Sequence, residues 1–228
     1  MEKGINLIEL IPGIINRFRL GPIGVTSDIR KAFLQISINP NDRDVLRFLW
    51  YGKEGEIQEF RHQRLVFGLT CSPFLLGAVI EHHLENVSSQ IESGQQNYSV
   101  STLNKLKKSF YVDNCVTSLN TTEDLHIFIE ESTKLLAEAQ FDLRLWEYTS
   151  KNLEENKISF VLGLKWNQSR DTLQINLDQF QNDIKYEKVT KKLILSVVNR
   201  IFDPIGFVYP VLLLPKILLQ ETWKIKCS

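Results

Sequence analysis

The stretch FYVDNCVT, residues Phe110–Thr117, places a polar pair between two arms of aromatic and β-branched residues. Such arms favour β-strands, and a short polar break between them is typical of a β-hairpin. The stretch therefore predicts a hairpin with the carboxylate of Asp113 at its tip.

A second aspartate ends another apolar run. Ile23–Ser27 is typical of a buried strand, and Asp28 follows it directly. Adjacent strands lie ~4.8 Å apart, so two carboxylates at strand ends can share a metal. Mg²⁺ binds through one or two carboxylates plus substrate phosphates, as in two-metal phosphoryl transfer. We expect Asp28 and Asp113 to lie close enough to bridge one divalent ion. Aspartates are also common in turns, so a structural role for both is the alternative.

The composition gives no general sign of a nucleic-acid-binding protein. The 228 residues contain 27 Lys and Arg against 27 Asp and Glu, so the net charge is zero. A basic surplus is the usual footprint of binding through bulk charge. Lysines do cluster locally, at residues 105–108 and 188–192, although solvated helix faces carry such clusters too.

Cysteine usage and hydropathy indicate the compartment. Three cysteines without CxxC spacing predict neither a disulfide framework nor a zinc site, and they fit a reducing, intracellular and cytoplasmic setting. The apolar run 205–219 contains Pro210, Pro215 and Lys216, which makes it a poor membrane span. We therefore expect no membrane partner.

The pattern of elements predicts an α+β fold. Strand-like runs joined by hairpins outnumber βαβ units, as with the glycine turn at Gly52–Gly55. A helix should begin after Thr121, with Asp124 three residues on in a capping box. Beyond residue 180 the chain has a helical pattern only. We place a boundary there, giving segments 1–180 and 181–228.

Six stretches, in order, resemble motifs of the reverse transcriptases of long-terminal-repeat retrotransposons, most closely those of the BEL/Pao group. The matching segments are the first palm motif at Ser27–Ile36, the template and nucleotide-positioning motif at Arg64–Leu76, the polymerase hairpin at Tyr111–Asn114, the next palm motif and primer grip at Phe141–Trp146 and Val161–Asn167, and a thumb-side segment at Thr190–Trp223. The resemblance covers nearly the entire chain. It implies a palm-type antiparallel sheet backed by helices, with partial fingers, and a helical C-terminal segment that begins the thumb.

The resemblance also implies roles for single residues. Asp28 and Asp113 would hold two Mg²⁺ ions, for which Mn²⁺ can substitute, and Asn114 completes the catalytic set. Phe33 would be a steric gate against ribonucleotides, facing the metals and not the core. The remaining implied roles are nucleotide binding for Phe67 and Gly68, and contact with primer and template for Tyr111, Leu164, Lys165 and Trp166.

Two positions depart from the family pattern. Asn114 stands where the hairpin commonly has a second aspartate, and Leu145 stands where the group usually has a lysine. An amide oxygen can still ligate a metal, but one charge is lost. At ~4 Å a unit charge is worth roughly 1 kcal/mol in water and ~4 kcal/mol at an effective dielectric of 20. The substitution should weaken metal binding without removing the ligand oxygen.

These observations predict an RNA-directed DNA polymerase domain of a retrotransposon polyprotein, as a truncated and weakened copy with little processive extension. Its expected partners are an RNA or DNA template with primer, deoxynucleoside triphosphates, and the fingers and RNase H segments of the parent polyprotein. Two alternatives stay open at this point. The first alternative is a catalytically silent remnant that at most binds nucleic acid. The second is an unrelated α+β interaction protein with structural aspartates.

Overall fold

The structure, a computed structural model, describes residues 4–150, 157–178 and 189–224. Contacts divide these residues into two units on either side of the bond between Tyr148 and Thr149. The boundary predicted after residue 180 falls within residues 179–188, outside the described part, and stays a prediction.

A four-stranded antiparallel sheet organises the first unit. Its strands lie in the order β4-β5-β1-β6, where β1 is Ile23–Ile29, β4 Phe110–Tyr111, β5 Asn114–Leu119 and β6 Leu143–Tyr148. The predicted hairpin is present, because β4 and β5 pair around the two-residue turn of Val112 and Asp113. Strand β1 lies between β5 and β6 and pairs antiparallel with both.

One face of the sheet is buried beneath helices α3, Ser72–Glu92, and α5, Thr122–Glu138. Side chains alternate across a strand, and on β1 Val25, Ser27 and Ile29 are buried while Asp28 is partly exposed. Both helices meet this core with apolar residues at helical spacing. The core-facing helical residues are Leu76, Ile80, Leu84 and Val87 of α3 and Leu125, Phe128, Leu135 and Leu136 of α5.

The predicted start of α5 is confirmed, since Thr121 Oγ1 accepts a hydrogen bond from the Asp124 amide at 3.1 Å. The remaining elements of this unit are short. They are a 3-10 turn Leu7–Leu10, α1 Ile11–Phe18, α2 Ala32–Gln35, a 3-10 segment Pro40–Leu46, the exposed hairpin of β2 Arg47–Tyr51 and β3 Ile57–Arg61, and α4 Val100–Leu106.

The second unit combines a small sheet with two helices. Strands β7 Ile158–Val161, β8 Leu164–Asn167 and β9 Thr172–Gln174 form an antiparallel meander, and helices α6 Lys191–Arg200 and α7 Tyr209–Lys224 pack on each other. No helix within the described ranges is long and apolar enough to span a bilayer. Antiparallel sheets backed by helices, followed by a helical segment, confirm the predicted α+β class.

Candidate active site

Asp28, Asp113 and Asn114 meet at one end of the sheet. In the β1–β5 register Asp28 is the direct partner of Asn114, and the Ile29 amide donates to the Asp113 carbonyl at 2.9 Å. Asp28 on β1 therefore lies next to the β4–β5 turn that carries Asp113, although 85 residues separate the two aspartates in sequence. The structure brings together the three residues that the sequence placed in the catalytic set.

The hairpin turn fixes how Asp113 and Asn114 are presented. Val112 has a φ of 57°, a left-handed conformation that is an outlier for a β-branched residue and costs roughly 1–3 kcal/mol. Asn114 Nδ2 donates to Asp113 Oδ1 at 2.9 Å. The Asn114 side chain thus orients the Asp113 carboxylate through its nitrogen. This hydrogen bond does not involve Asn114 Oδ1.

Arg144 lies on the other side of Asp28. It is the partner of Asp28 in the β1–β6 register, and the register shifts by one residue between Asp28 and Thr26. The extra residue falls at Leu145, which has a φ of 56° and is 66% exposed. A β-bulge of this kind changes the direction of neighbouring side chains. Arg144 was absent from the predicted site residues, because a bulge leaves no reliable pattern in sequence.

The electrostatics of the site centre on Asp28. Burial raises the pKa of the Asp28 carboxyl, and the nearby Asp113 carboxylate raises this pKa further, whereas the Arg144 guanidinium lowers it. Like-charged carboxylates that interact through partly buried surroundings are held together at an electrostatic cost. A divalent cation between them would remove that cost.

The donor set fits Mg²⁺ or Mn²⁺. Two interacting carboxylates and one amide oxygen are hard oxygen ligands, and Mg²⁺ typically takes only one or two carboxylates from protein, with water and substrate phosphates filling the rest. Within the described ranges no group of three or more His, Cys, Asp or Glu residues forms a complete metal cage. Asp28 and Asp113 would hold the metal, with Asn114 beside them.

Phe33 does not have the surroundings that were expected. Its ring is 3% exposed and belongs to the core of the first unit, so the prediction that it stays out of the core is wrong. The physical reason is its place on α2, which packs on α3. Its ring packs edge-to-face with the ring of Phe67, with centroids 4.6 Å apart and planes at 81°. The steric-gate role stays a prediction.

Phe67 and Gly68 are exposed next to that aromatic pair. Phe67 is 74% exposed, and Gly68 has a φ of 90° with no atom within 4 Å of where a Cβ would lie. Glycine is therefore favoured here by backbone conformation and not by a close neighbour. The preceding segment is anchored by Arg64, whose Nη1 donates to Gln35 O at 3.0 Å and to Ser37 Oγ at 2.8 Å.

Tyr111 lies one residue before the turn and is the partner of Asn114 in the β4–β5 register. Burial raises the pKa of its phenol, so the hydroxyl stays protonated at neutral pH. Tyr111 and Val112 also line a mainly apolar cavity of about 270 Å³ together with Phe74 and Gly77 of α3. Tyr111 is thus held between β5 and this cavity.

Leu164, Lys165 and Trp166 belong to the second unit and lie on β8. Leu164 is 2% exposed and Trp166 is fully buried, with Trp166 Nε1 donating to Asp171 Oδ1 at 3.1 Å. Lys165 forms an ion pair with Asp178. The buried Leu164 and Trp166 side chains support the β7–β8 hairpin. Contact of this hairpin with primer and template stays a prediction.

The comparisons with known proteins agree with this fold. The structure resembles the foamy viral protease-reverse transcriptase in complex with RNA/DNA hybrid, with a TM-score of 0.54 and 22% identity over 86% of this chain and 22% of that chain. It also resembles the same protein in complex with dsDNA, with a TM-score of 0.55 and 22% identity over 87% of this chain and 36% of that one. A third structure, the dRH form with ds DNA, gives a TM-score of 0.55 and 20% identity over 86% and 29%.

Residues 190–228 match a family described as the Pao retrotransposon-like RNaseH-like domain. The family resemblance of the sequence predicted a thumb-side role for this segment, and that role stays a prediction. A search of curated proteins finds no match. The chain has a retroviral reverse transcriptase fold, and it spans between 22% and 36% of the lengths of the matched structures.

Proposed function

We propose that this chain is the palm-containing part of a retroelement RNA-directed DNA polymerase of the BEL/Pao type. One observation carries the proposal: Asp28 and Asp113 are neighbours at one end of an antiparallel sheet, with Asn114 in direct register with Asp28. The reverse-transcriptase fold and the Pao-type segment at 190–228 support it.

The proposed reaction adds a deoxynucleotide to a primer 3′-hydroxyl and releases pyrophosphate. Metal ions bound by Asp28 and Asp113 would supply activation of the hydroxyl and neutralisation of phosphate charge. Asn114 holds the Asp113 carboxylate through its 2.9 Å hydrogen bond. Arg144 lowers the pKa of Asp28 and so favours the ionised ligand form at neutral pH.

The proposed substrate is a primer annealed to an RNA or DNA template, together with deoxynucleoside triphosphates. The similar foamy viral structures contain an RNA/DNA hybrid and double-stranded DNA. Exposed Phe67 and Gly68 would contact the incoming nucleotide, and the buried ring of Phe33 packs edge-to-face with that of Phe67. In this proposal Phe33 sets the position of Phe67, and its gate function acts through that pair.

A silent remnant that binds nucleic acid is the second candidate, and the observation that favours it is Asn114. One carboxylate fewer weakens metal binding, and catalysis of phosphoryl transfer depends mainly on charge stabilisation. Within its described residues, the RNaseH-like segment supplies no carboxylate that is free to replace the one missing at Asn114. Asp203 accepts from the Gly206 and Val208 amides at 2.8 and 2.7 Å, and Glu221 pairs with Lys224 at 2.8 Å.

Single-nucleotide extension of a labelled primer on an RNA template tests the proposal. The protein is used in excess over primer, with Mg²⁺ and then Mn²⁺, so that weak chemistry is visible without processive synthesis. We expect slow incorporation by the unchanged chain, faster incorporation by Asn114→Asp, and none by Asp113→Asn. Glu54→Gln, a carboxylate removal at the exposed β2–β3 turn, is the matched control.

The outcomes separate the two candidates. Incorporation that disappears with Asp113→Asn supports the polymerase. Binding of the primer–template without incorporation by either the unchanged chain or Asn114→Asp supports the remnant. Absence of both binding and incorporation contradicts both candidates.

A further inference from the structure

A cavity of about 540 Å³, most of whose lining residues are polar or charged, lies at the opposite end of the same sheet from the aspartates. It is formed where β1 begins and β5 ends, and its lining includes Arg17, Lys105, Lys108, Asn104 and Thr117. Ser118 is four residues along β5 from Asn114, a separation of ~13 Å at strand rise. The cavity, here called the basic cavity, is therefore separate from the candidate active site.

Three cations line the basic cavity, and no carboxylate appears among the described residues of its lining. Asp124 lines an adjoining cavity of about 280 Å³ that shares Ser101, Lys105 and Asn120 with it. Three like charges around one space repel each other, and that repulsion is strongest where solvent is partly excluded. An anion in the cavity would attract all three cations and so offset their mutual repulsion.

Two of the cations are fixed in place by backbone carbonyls. Arg17 Nε donates to Lys108 O at 3.0 Å, and Lys105 Nζ donates to Ser118 O at 2.8 Å. Ser118 Oγ in turn donates to Arg17 O at 2.7 Å and accepts from the Gly21 amide at 2.8 Å, which ties α1 and the turn before β1 to β5. Each cation spends only part of its donor set, since guanidinium has five N–H donors and ammonium has three.

From this arrangement we infer that the basic cavity binds a phosphate-bearing anion, either the phosphate of a free nucleotide or a backbone phosphate of a nucleic acid strand. Guanidinium and ammonium groups are the usual partners of phosphate oxygens. Asn104 and Thr117 add neutral donors, and a volume of about 540 Å³ is within the range of small-ligand pockets. This site does not depend on the polymerase activity proposed above.

The test is calorimetric titration of the full chain in EDTA, so that metal-dependent binding at the aspartates makes no contribution. The probes are pyrophosphate, adenosine monophosphate and an eight-nucleotide oligothymidylate at low salt. We expect saturable one-site binding that Lys108→Gln weakens about tenfold, as for loss of a charged hydrogen bond, and that Lys108→Glu removes. Lys108→Arg should retain binding, and Lys53→Gln, on the exposed β2–β3 turn, should leave it unchanged.

Lys108 is the chosen position because only its backbone atoms form the structural hydrogen bonds named above, so its variants should keep the unchanged melting temperature. Binding of pyrophosphate or the mononucleotide assigns the site to free phosphates, and binding of the oligonucleotide alone assigns it to a strand. No saturable binding by any probe, or equal affinity of Lys108→Glu and the unchanged chain, overturns the inference. In that case the cations only anchor α1 to the segment after α4, and α4 to β5.

Discussion

Asp28 and Asn114 are direct partners in the antiparallel register of β1 and β5. The Asn114 side-chain amide donates a hydrogen bond to the Asp113 carboxylate at 2.9 Å. A neutral amide therefore lies beside two carboxylates that already repel each other. The amide stabilises the metal-free protein, because it donates a hydrogen bond where an aspartate would add a third negative charge. Its presence lowers the charge available for a metal.

Asn114→Asp should destabilise the metal-free protein and tighten metal binding. Loss of the hydrogen bond and gain of a like charge should lower the free energy of unfolding by about 1–3 kcal/mol in EDTA. Mn²⁺ affinity, measured by electron paramagnetic resonance, should rise about tenfold. Asn41→Asp makes the same chemical change at an exposed 3-10 position and should alter neither quantity. Weaker Mn²⁺ binding by Asn114→Asp would show that Asn114 does not face the metal.

Asp28→Asn should stabilise the metal-free protein at neutral pH and not at acid pH. The pKa of Asp28 is raised from its ordinary value of 3.8 by burial and by Asp113. A carboxyl with a raised folded pKa favours folding fully only below its unfolded pKa, and that contribution is lost as pH rises through the folded pKa. At pH 7 the ionised group therefore opposes folding, and the amide does not.

Melting temperatures in EDTA at pH 7 and pH 3.5 test this prediction. The gain at pH 7 should be a few degrees at most, because the carboxylate is partly exposed and screened, and it should vanish at pH 3.5. Glu54→Gln should give no such pH-dependent difference. A gain that is the same at both pH values would point to packing and not to charge.

Truncation of Phe33 should lower the free energy of unfolding of the first unit far more than truncation of Phe67. Phe33 is 3% exposed and Phe67 is 74% exposed. Phe33→Ala should lower the free energy of unfolding by about 3 kcal/mol, and Phe67→Ala by less than about 1 kcal/mol. The double variant closes a thermodynamic cycle whose coupling energy should be about 0.5–1.5 kcal/mol for an edge-to-face pair. A coupling energy of zero would remove the proposed support of Phe67 by Phe33.

Sugar selectivity tests the gate separately. Because Phe33 supports the exposed ring of Phe67, Phe33→Val should increase incorporation of ribonucleotides relative to deoxynucleotides in the primer-extension assay. The ratio of the two rates is independent of how much variant is folded. An unchanged ratio would show that Phe33 only packs in the core and takes no part in sugar selection.

The sequence was sufficient for features set by local patterns. Thr121 accepts from the Asp124 amide as the capping pattern predicted, and the alternation of Ser27, Asp28 and Ile29 places the carboxylate on the partly exposed face. The hairpin around Asp113 follows from β-favouring arms on either side of a short polar break. Each of these depends on neighbours within a few residues.

Features set by tertiary contacts could not be read in the same way. The burial of Phe33 depends on packing of α2 against α3, and the ion pair of Lys165 depends on Asp178, thirteen positions further along the chain. The approach of Arg144 to Asp28 depends on the register shift at Leu145. Side-chain type alone does not encode such contacts, which is why the sequence did not show the burial of Leu164 and Trp166 on β8.

Leu145→Asn should stabilise the protein despite removing an apolar side chain. Leu145 has a φ of 56° and is 66% exposed, so little burial is lost and a left-handed conformation costly for leucine is relieved. We expect a gain of about 0.5–1 kcal/mol in the free energy of unfolding, measured with urea. Val45→Asn, at a residue that is 71% exposed and has no positive φ, is the matched control and should give no gain. Destabilisation by Leu145→Asn would mean that the bulge is held by the leucine side chain.

Gly163→Ala should disrupt the second unit because two separate constraints act on this turn between β7 and β8. Gly163 has a φ of 85°, which disfavours alanine, and an added Cβ would lie 2.6 Å from Cδ1 and Cε1 of Phe202. A left-handed alanine costs about 1–2 kcal/mol, and displacing the Phe202 ring adds to that cost. The expected total loss is about 2–4 kcal/mol in the unfolding free energy of this unit.

Gly206→Ala separates the two constraints, since Gly206 has a φ of 88° but its added Cβ would meet Tyr209 only at an ordinary 3.4 Å. It should lose only the conformational part, about 1–2 kcal/mol. Intrinsic tryptophan fluorescence of the buried Trp166 follows unfolding of this unit during urea titration. The variant Gly163→Ala combined with Phe202→Ala should recover part of the difference, because the ring that obstructs the Cβ is gone. Equal losses for Gly163→Ala and Gly206→Ala, with no recovery in the combined variant, would mean that Phe202 does not pack against this turn.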